Sequence, residues 1–82
     1  MKIYERLKQG FIDKDYYISF SNNYIYLLNY KEIVSFESKR IIVKFTNFRL
    51  FINGYDFKIK RKTNVEVEIT GQFANMEIEN EI

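Results

Sequence analysis

The sequence predicts an all-β fold, a small antiparallel meander of about eight short strands, barrel-like or in two layers, with a short N-terminal helix. Three observations carry that reading. From Ile41 to Gly71 apolar residues recur at every second position, the period of a half-buried strand. Turn-forming pairs such as Thr46-Asn47, Asn53-Gly54 and Gly71-Gln72 interrupt the alternation at short intervals. Eight Phe and seven Tyr, with no proline, favour pleated and continuously paired segments.

The elements follow in order. Met1 to Gly10 reads as two helical turns, with Ile3, Tyr4 and Leu7 on one face and Gly10 as the cap. Strands are expected at Tyr16–Phe20, Tyr24–Leu28, Ile33–Phe36, Ile41–Phe45, Phe48–Ile52, Tyr55–Ile59, Val65–Ile69 and Phe73–Glu79. Thr46-Asn47 as a two-residue turn sets Val43 opposite Leu50 and Ile41 opposite Ile52. Asn53-Gly54 is the strongest hairpin signal, since both residues tolerate the positive φ of a type I′ turn. It sets Ile52 opposite Tyr55, Leu50 opposite Phe57 and Phe48 opposite Ile59. A loop at Lys62-Thr63-Asn64 sets Ile59 opposite Val67, and a turn at Gly71-Gln72 sets Ile69 opposite Ala74. These registers place the apolar residues on one shared core face, and a one-residue slip in any of them destroys the agreement.

The other face holds Ile42, Lys44, Arg49, Phe51, Asp56, Lys58, Lys60, Glu66, Glu68, Phe73 and Glu77. Charge suits a solvated face, so Ile42 and Phe51, opposite each other, stand out as a contact point for a partner. Lys44 and Arg49 sit opposite each other beside them and invite a bridging anion or an acidic partner. Ile42, Lys44, Arg49 and Phe51 are therefore the candidate site. Scattered surface apolar residues are the plainer reading of the same pattern.

Length and composition bound the rest. Eighty-two residues make one domain, 1–82, and a chain this small is marginally stable without help. No cysteine or histidine is present, so neither a disulfide nor a zinc site is expected, and no cofactor. No run approaches the roughly 18 apolar residues of a membrane span, and no signal peptide is read. A cytoplasmic protein is the expectation.

The net charge of +2 hides an asymmetry. Residues 39–62 carry eight basic residues against Asp56, whereas residues 63–82 carry five glutamates and no basic residue. A basic block among aromatics can mean nucleic acid, bound as by a small RNA-binding β-barrel, or an anionic membrane surface. The expected register works against it, because Lys60 faces Glu66 and Lys58 faces Glu68. Lys39, Arg40, Lys44, Arg49, Arg61 and Lys62 are left unpaired in that scheme. Nucleic acid is therefore the alternative rather than the leading reading.

Catalysis finds little support without the commonest base or a thiol nucleophile. Glu66 and Glu68 are two residues apart on one strand face, roughly 6.5–7 Å along the strand. They form the one carboxylate pair worth weighing, and lysines face both. Tyr24 and Tyr26 occupy one face of their strand, Ile25 and Leu27 the other. Such a strand wants cover on both faces, from the N-terminal helix or from another subunit.

The residues from Tyr17 to Glu79 resemble the YabP/YqfC family of sporulation proteins, closer to the YqfC branch. The resemblance rests on Asn29-Tyr30-Lys31-Glu32-Ile33 with Phe36, on Ile41-Ile42-Val43, on Phe48 through Gly54, on Phe57-Lys58-Ile59, on Val67 through Gly71, and on Met76 with Ile78. It departs at Glu32, where the family has glycine, and at Asp13-Lys14-Asp15, where it has proline. The resemblance implies a non-enzymatic protein of the mother cell of endospore-forming bacteria. It implies work alongside membrane-embedded sporulation proteins at the forespore, and it carries no catalytic, cofactor or metal residues. A homo-oligomer and peripheral membrane contact are further partner expectations; nucleic acid is not expected.

Overall fold

A computed structural model describes residues 11–13 and 16–80. The Met1–Gly10 helix lies outside the described residues. Seven antiparallel strands form one sheet: β1 (Phe11–Asp13), β2 (Tyr16–Ser21), β3 (Tyr24–Leu28), β4 (Glu32–Phe36), β5 (Arg40–Lys44), β6 (Phe48–Lys62) and β7 (Glu66–Asn80). Their spatial order is β1-β2-β3-β7-β6-β5-β4. Among the described residues there is no helix, and no ladder joins β1 to β4.

The all-β expectation holds, and two of its turns do not exist. Phe48–Ile52 and Tyr55–Ile59 are halves of the single 15-residue strand β6. Val65–Ile69 and Phe73–Glu79 likewise merge into β7, also 15 residues. Asn53-Gly54 and Gly71-Gln72 are points where these strands bend. Leu50 consequently faces Ile78 and not Phe57, and Ile69 faces Ile59 and not Ala74. The physical reason is steric. A β-carbon on Gly54 would collide with the carbonyl oxygen of Gln72, and one on Gly71 would stand 2.7 Å from Phe57 Cδ1. Both glycines serve close approach at a bend.

The ladder between β6 and β7 absorbs the bend through irregularities between Asn53 and Gly54, Tyr55 and Lys58, and Ile59 and Arg61. Bulges of this kind kink a strand and raise its twist. Asp56, in the middle one, takes a left-handed φ of 57°. Each long strand thereby serves both halves of the sheet. The first half of β7 pairs with β3 and with the end of β6, and its second half pairs with the start of β6.

A three-residue crossover forces the sheet to curl. Laid flat, β3 and β4 would lie four strand spacings apart, about 19 Å. The four residue steps from Leu28 to Glu32 reach at most about 14 Å. The crossover is pinned at both ends, since Asn29 donates its N–H to Val65 O at 2.6 Å and Lys31 donates to Lys44 O at 2.8 Å. Between them Tyr30 is buried and its hydroxyl donates to Thr63 O at 2.7 Å.

The core lies inside the curl. Ile18, Ile25, Leu27, Ile41, Val43, Phe45, Ile52, Val67 and Ile69 are fully buried. Tyr16 on β2 meets Phe45 and Phe48 edge-on at 5.5 and 5.1 Å between centroids, joining strands that are distant in sheet order. The alternation identified this face, with exceptions at its margins. Tyr55, Ile59 and Ile78 are exposed where the neighbouring strands end before reaching them, and Val65 is exposed in the turn between β6 and β7. Phe73, expected on the charged face, packs inward and stacks on Phe57 at 5.2 Å, since the bulges reverse its parity.

Candidate functional site

The hairpin of β5 and β6 carries the predicted site in the predicted register. Phe45 donates its N–H to Phe48 O at 2.8 Å across Thr46-Asn47, which closes the turn. That places Ile42 opposite Phe51 and Lys44 opposite Arg49 on the outer face.

The neighbouring strands extend these pairs into rows. Glu32 lies opposite Lys44 and Glu79 opposite Arg49, so one row reads acid, base, base, acid across four strands. Neither Lys44 nor Arg49 is without a partner. The expectation that both stay unpaired is corrected, and the sheet's own glutamates flank the pair where a bridging anion was considered. The next row runs Ser35, Ile42, Phe51, Glu77. Ile42 and Phe51 are half-buried, and the Arg40 guanidinium lies 5.0 Å from the Phe51 ring centroid. An exposed cation–π contact of this kind contributes about 0.5–1 kcal/mol.

Two glutamates of the outer face gather on Arg61. It forms ion pairs of 2.7 Å with Glu66 and of 2.7 Å with Glu68. The expected pairs Lys60–Glu66 and Lys58–Glu68 are absent, because the bulge between Ile59 and Arg61 brings Arg61 opposite Glu68 and Lys58 opposite Thr70. Tyr26 donates to Glu66 Oε2 at 2.9 Å, and Tyr24 is hydrogen-bonded to Glu68. Desolvation and the bond to Glu66 push the Tyr26 hydroxyl up to about 12. The hydrogen bond from Arg61 holds the Glu68 carboxyl below its ordinary range. Glu66 and Glu68, weighed as an acid–base pair, are thus clamped by one guanidinium. Both tyrosines of that face of β3 are thus tied into the same network.

Two shallow depressions border the second half of β7. One, of about 400 Å³, is lined by Phe20, Asn22, Phe73, Asn75 and Met76 among others. The other, of about 450 Å³, lies between Arg40, Phe51, Glu77, Ile78 and Glu79, beside the Ile42–Phe51 row. Among the described residues no cluster of acidic residues could hold a metal ion.

Reading the sequence missed the open margins of the long strands, because turns at Gly54 and Gly71 would have folded those margins back into the meander.

No curated protein and no solved structure matches the chain. The model of the YabP family matches residues 14–81, which takes in β2 through β7 and so includes the crossover, the two bent strands and the outer-face rows. Over that span of sequence and structure, the chain belongs to the YabP family.

Proposed function

We propose that this chain is a non-enzymatic sporulation protein of the YqfC branch, a structural and interaction module in the cytoplasm of the mother cell. The observation that carries this reading is the family match over residues 14–81, which suggests a role in sporulation. The outer-face pair Ile42 and Phe51 supports the interaction part. It is an apolar pair bordered by Lys44, Arg49 and Glu77 on a mostly polar face. Aromatic residues with basic neighbours at the centre of a patch are the usual anchors of protein contacts. The partner in this reading is a sporulation protein embedded in the forespore membrane. Among the described residues no helix is long and apolar enough to cross a membrane. The Arg61 clamp on Glu66 and Glu68 supports a structural role for the carboxylates of that face.

The test replaces Ile42→Lys and Phe51→Glu together in the only copy of the gene in a sporulating strain. Spore yield is expected to fall to that of a deletion strain while the purified variant keeps its native circular dichroism. Full spore yield from a folded variant overturns the reading.

A further inference from the structure

The sheet has two open margins of opposite charge, and they are formed in the same way. On one side of β7 the ladder to β3 stops at Tyr24 opposite Thr70. The turn carbonyls of Asn23 and Asn22 then accept the N–H groups of Gly71 and Phe73 at 3.4 and 3.3 Å. From Asn75 to Asn80 that side of β7 meets no strand among the described residues. On the far side of β6 the ladder to β5 stops at Arg40 opposite Asn53. The carbonyls of Lys39 and Ser38 accept from Gly54 and Phe57, each at 3.1 Å. From Lys58 to Lys62 that side of β6 likewise meets no strand among the described residues.

We propose that these two margins bind each other between copies, the acidic margin of β7 taking the basic margin of β6 from the next chain. This names a second copy as a partner of the interaction module proposed above, and it rests on that reading.

The residues match in antiparallel alignment. Glu79 meets Lys58, Ile78 meets Ile59, and Glu77 meets Lys60. Ile78 is 41% exposed and Ile59 42%, so each margin presents an apolar residue that its own sheet leaves uncovered. The faces agree as well. Ile78 lies opposite Leu50 and Ile59 opposite Ile69, both core residues, so the two isoleucines share the inner face. Glu79 lies opposite Arg49 and Lys58 opposite Thr70, which puts both on the outer face. Lys60 sits in the bulge between Ile59 and Arg61, on the same exposed margin. None of Lys58, Lys60, Glu77 and Glu79 takes part in an ion pair among the described residues.

Like margins repel. Antiparallel pairing of β7 with β7 sets Glu77 against Glu79 or Glu77 against Glu77, and β6 with β6 sets lysine against lysine, both destabilising. The β4 edge is broken by an irregularity between Ile33 and Ser35, a common device for blunting an edge. Between the two margins the favourable contact is heterologous, and a heterologous contact repeats into a ring or an open chain.

The test is a charge swap read by light scattering. One variant carries Glu77→Lys with Glu79→Lys, the other Lys58→Glu with Lys60→Glu, and circular dichroism confirms that each folds. The native chain should assemble as its concentration rises and dissociate as salt is added. Each variant alone should associate about tenfold more weakly or worse. Mixing the two variants should restore assembly, because each then offers a complementary margin. A native chain that stays monomeric, variants that assemble like the native chain, or a mixture that stays apart overturns the proposal. None of these results bears on spore yield from the Ile42 and Phe51 variant, so the two readings fail separately.

Discussion

The ring of Phe57 fills the space in which a side chain on Gly71 would stand. A β-carbon there lies 2.7 Å from Phe57 Cδ1, and one on Gly54 lies 2.8 Å from Phe57 Cζ. The two bends of the long strands are therefore held open for one aromatic ring, which is itself buried and stacked on Phe73.

Alanine at either glycine should destabilise the fold. Gly71 has a φ of +151°, a conformation that residues with a side chain rarely adopt, and alanine there should cost about 2–3 kcal/mol. Gly54→Ala should cost more, since it meets the Gln72 carbonyl, a backbone atom that cannot swing away. Adding Phe57→Leu to Gly71→Ala should recover part of the loss, a coupling of about 0.5–3 kcal/mol in a double-mutant cycle. Urea melts measure all of these. Additive losses would mean that the ring and the glycine do not share space.

Leu50 and Ile78 face each other across β6 and β7 but differ in cover, 1% exposed against 41%. Leu50→Ala should cost roughly 2–5 kcal/mol as a core truncation. Ile78→Ala should stay within about 0.5 kcal/mol as a surface change. Equal losses in a thermal or urea melt would place the margin of β7 inside the core.

Much of this fold was legible in the sequence, and the failures cluster at the bends and bulges of β6 and β7. The Thr46-Asn47 turn fixed the β5–β6 register, so Ile42 with Phe51 and Lys44 with Arg49 fell where expected. The core face was readable because Ile41, Val43, Leu50, Ile52, Val67 and Ile69 keep their parity however the chain continues. Asn53-Gly54 misled because a glycine needed for close approach looks the same in a sequence as a glycine needed for a positive φ. From that error and the turn read at Gly71-Gln72 came the outward placement of Phe73 and the missed margins, whereas the mispaired lysines came from the loop read at Lys62-Thr63-Asn64 and the bulge between Ile59 and Arg61. Arg61 could not be assigned to Glu66 and Glu68 by any regular alternation, because a bulge delivers it.

The Arg61 network should leave marks at both ends of the pH scale. The Glu68 carboxyl is held below its ordinary 4.5 by the hydrogen bond from Arg61. Its stabilising contribution is present above that value and is lost as acid protonates the folded state. Arg61→Met should flatten this acid limb. Tyr26 is raised from 10.0 to about 12 by desolvation and by its bond to Glu66. Its contribution is present below pH 10 and is lost between 10 and about 12, and Tyr26→Phe should remove that loss. Denaturation midpoints across pH measure both limbs; an acid limb unchanged in the Arg61 variant would detach Glu68 from the network.

Oligonucleotides should not bind. Arg61 is committed to Glu66 and Glu68, Arg40 to Phe51, and Lys44 and Arg49 are partnered, which leaves Lys58 and Lys60 to the acidic margin of the next chain. Titration of single-stranded RNA at low salt should give a flat isotherm. Binding that weakens steeply as salt rises would revive the basic block as a nucleic-acid surface.

The bends, both open margins and the Leu50–Ile78 pair depend on β6 and β7 running unbroken through Gly54 and Gly71. Solution NMR tests this most directly through cross-strand nuclear Overhauser contacts. The structure predicts contacts between Phe48–Ile52 and Met76–Asn80, with Leu50 facing Ile78. Contacts between Phe48–Ile52 and Tyr55–Ile59, with Leu50 facing Phe57, would restore a hairpin at Asn53-Gly54 and contradict the bent strands and both of their margins.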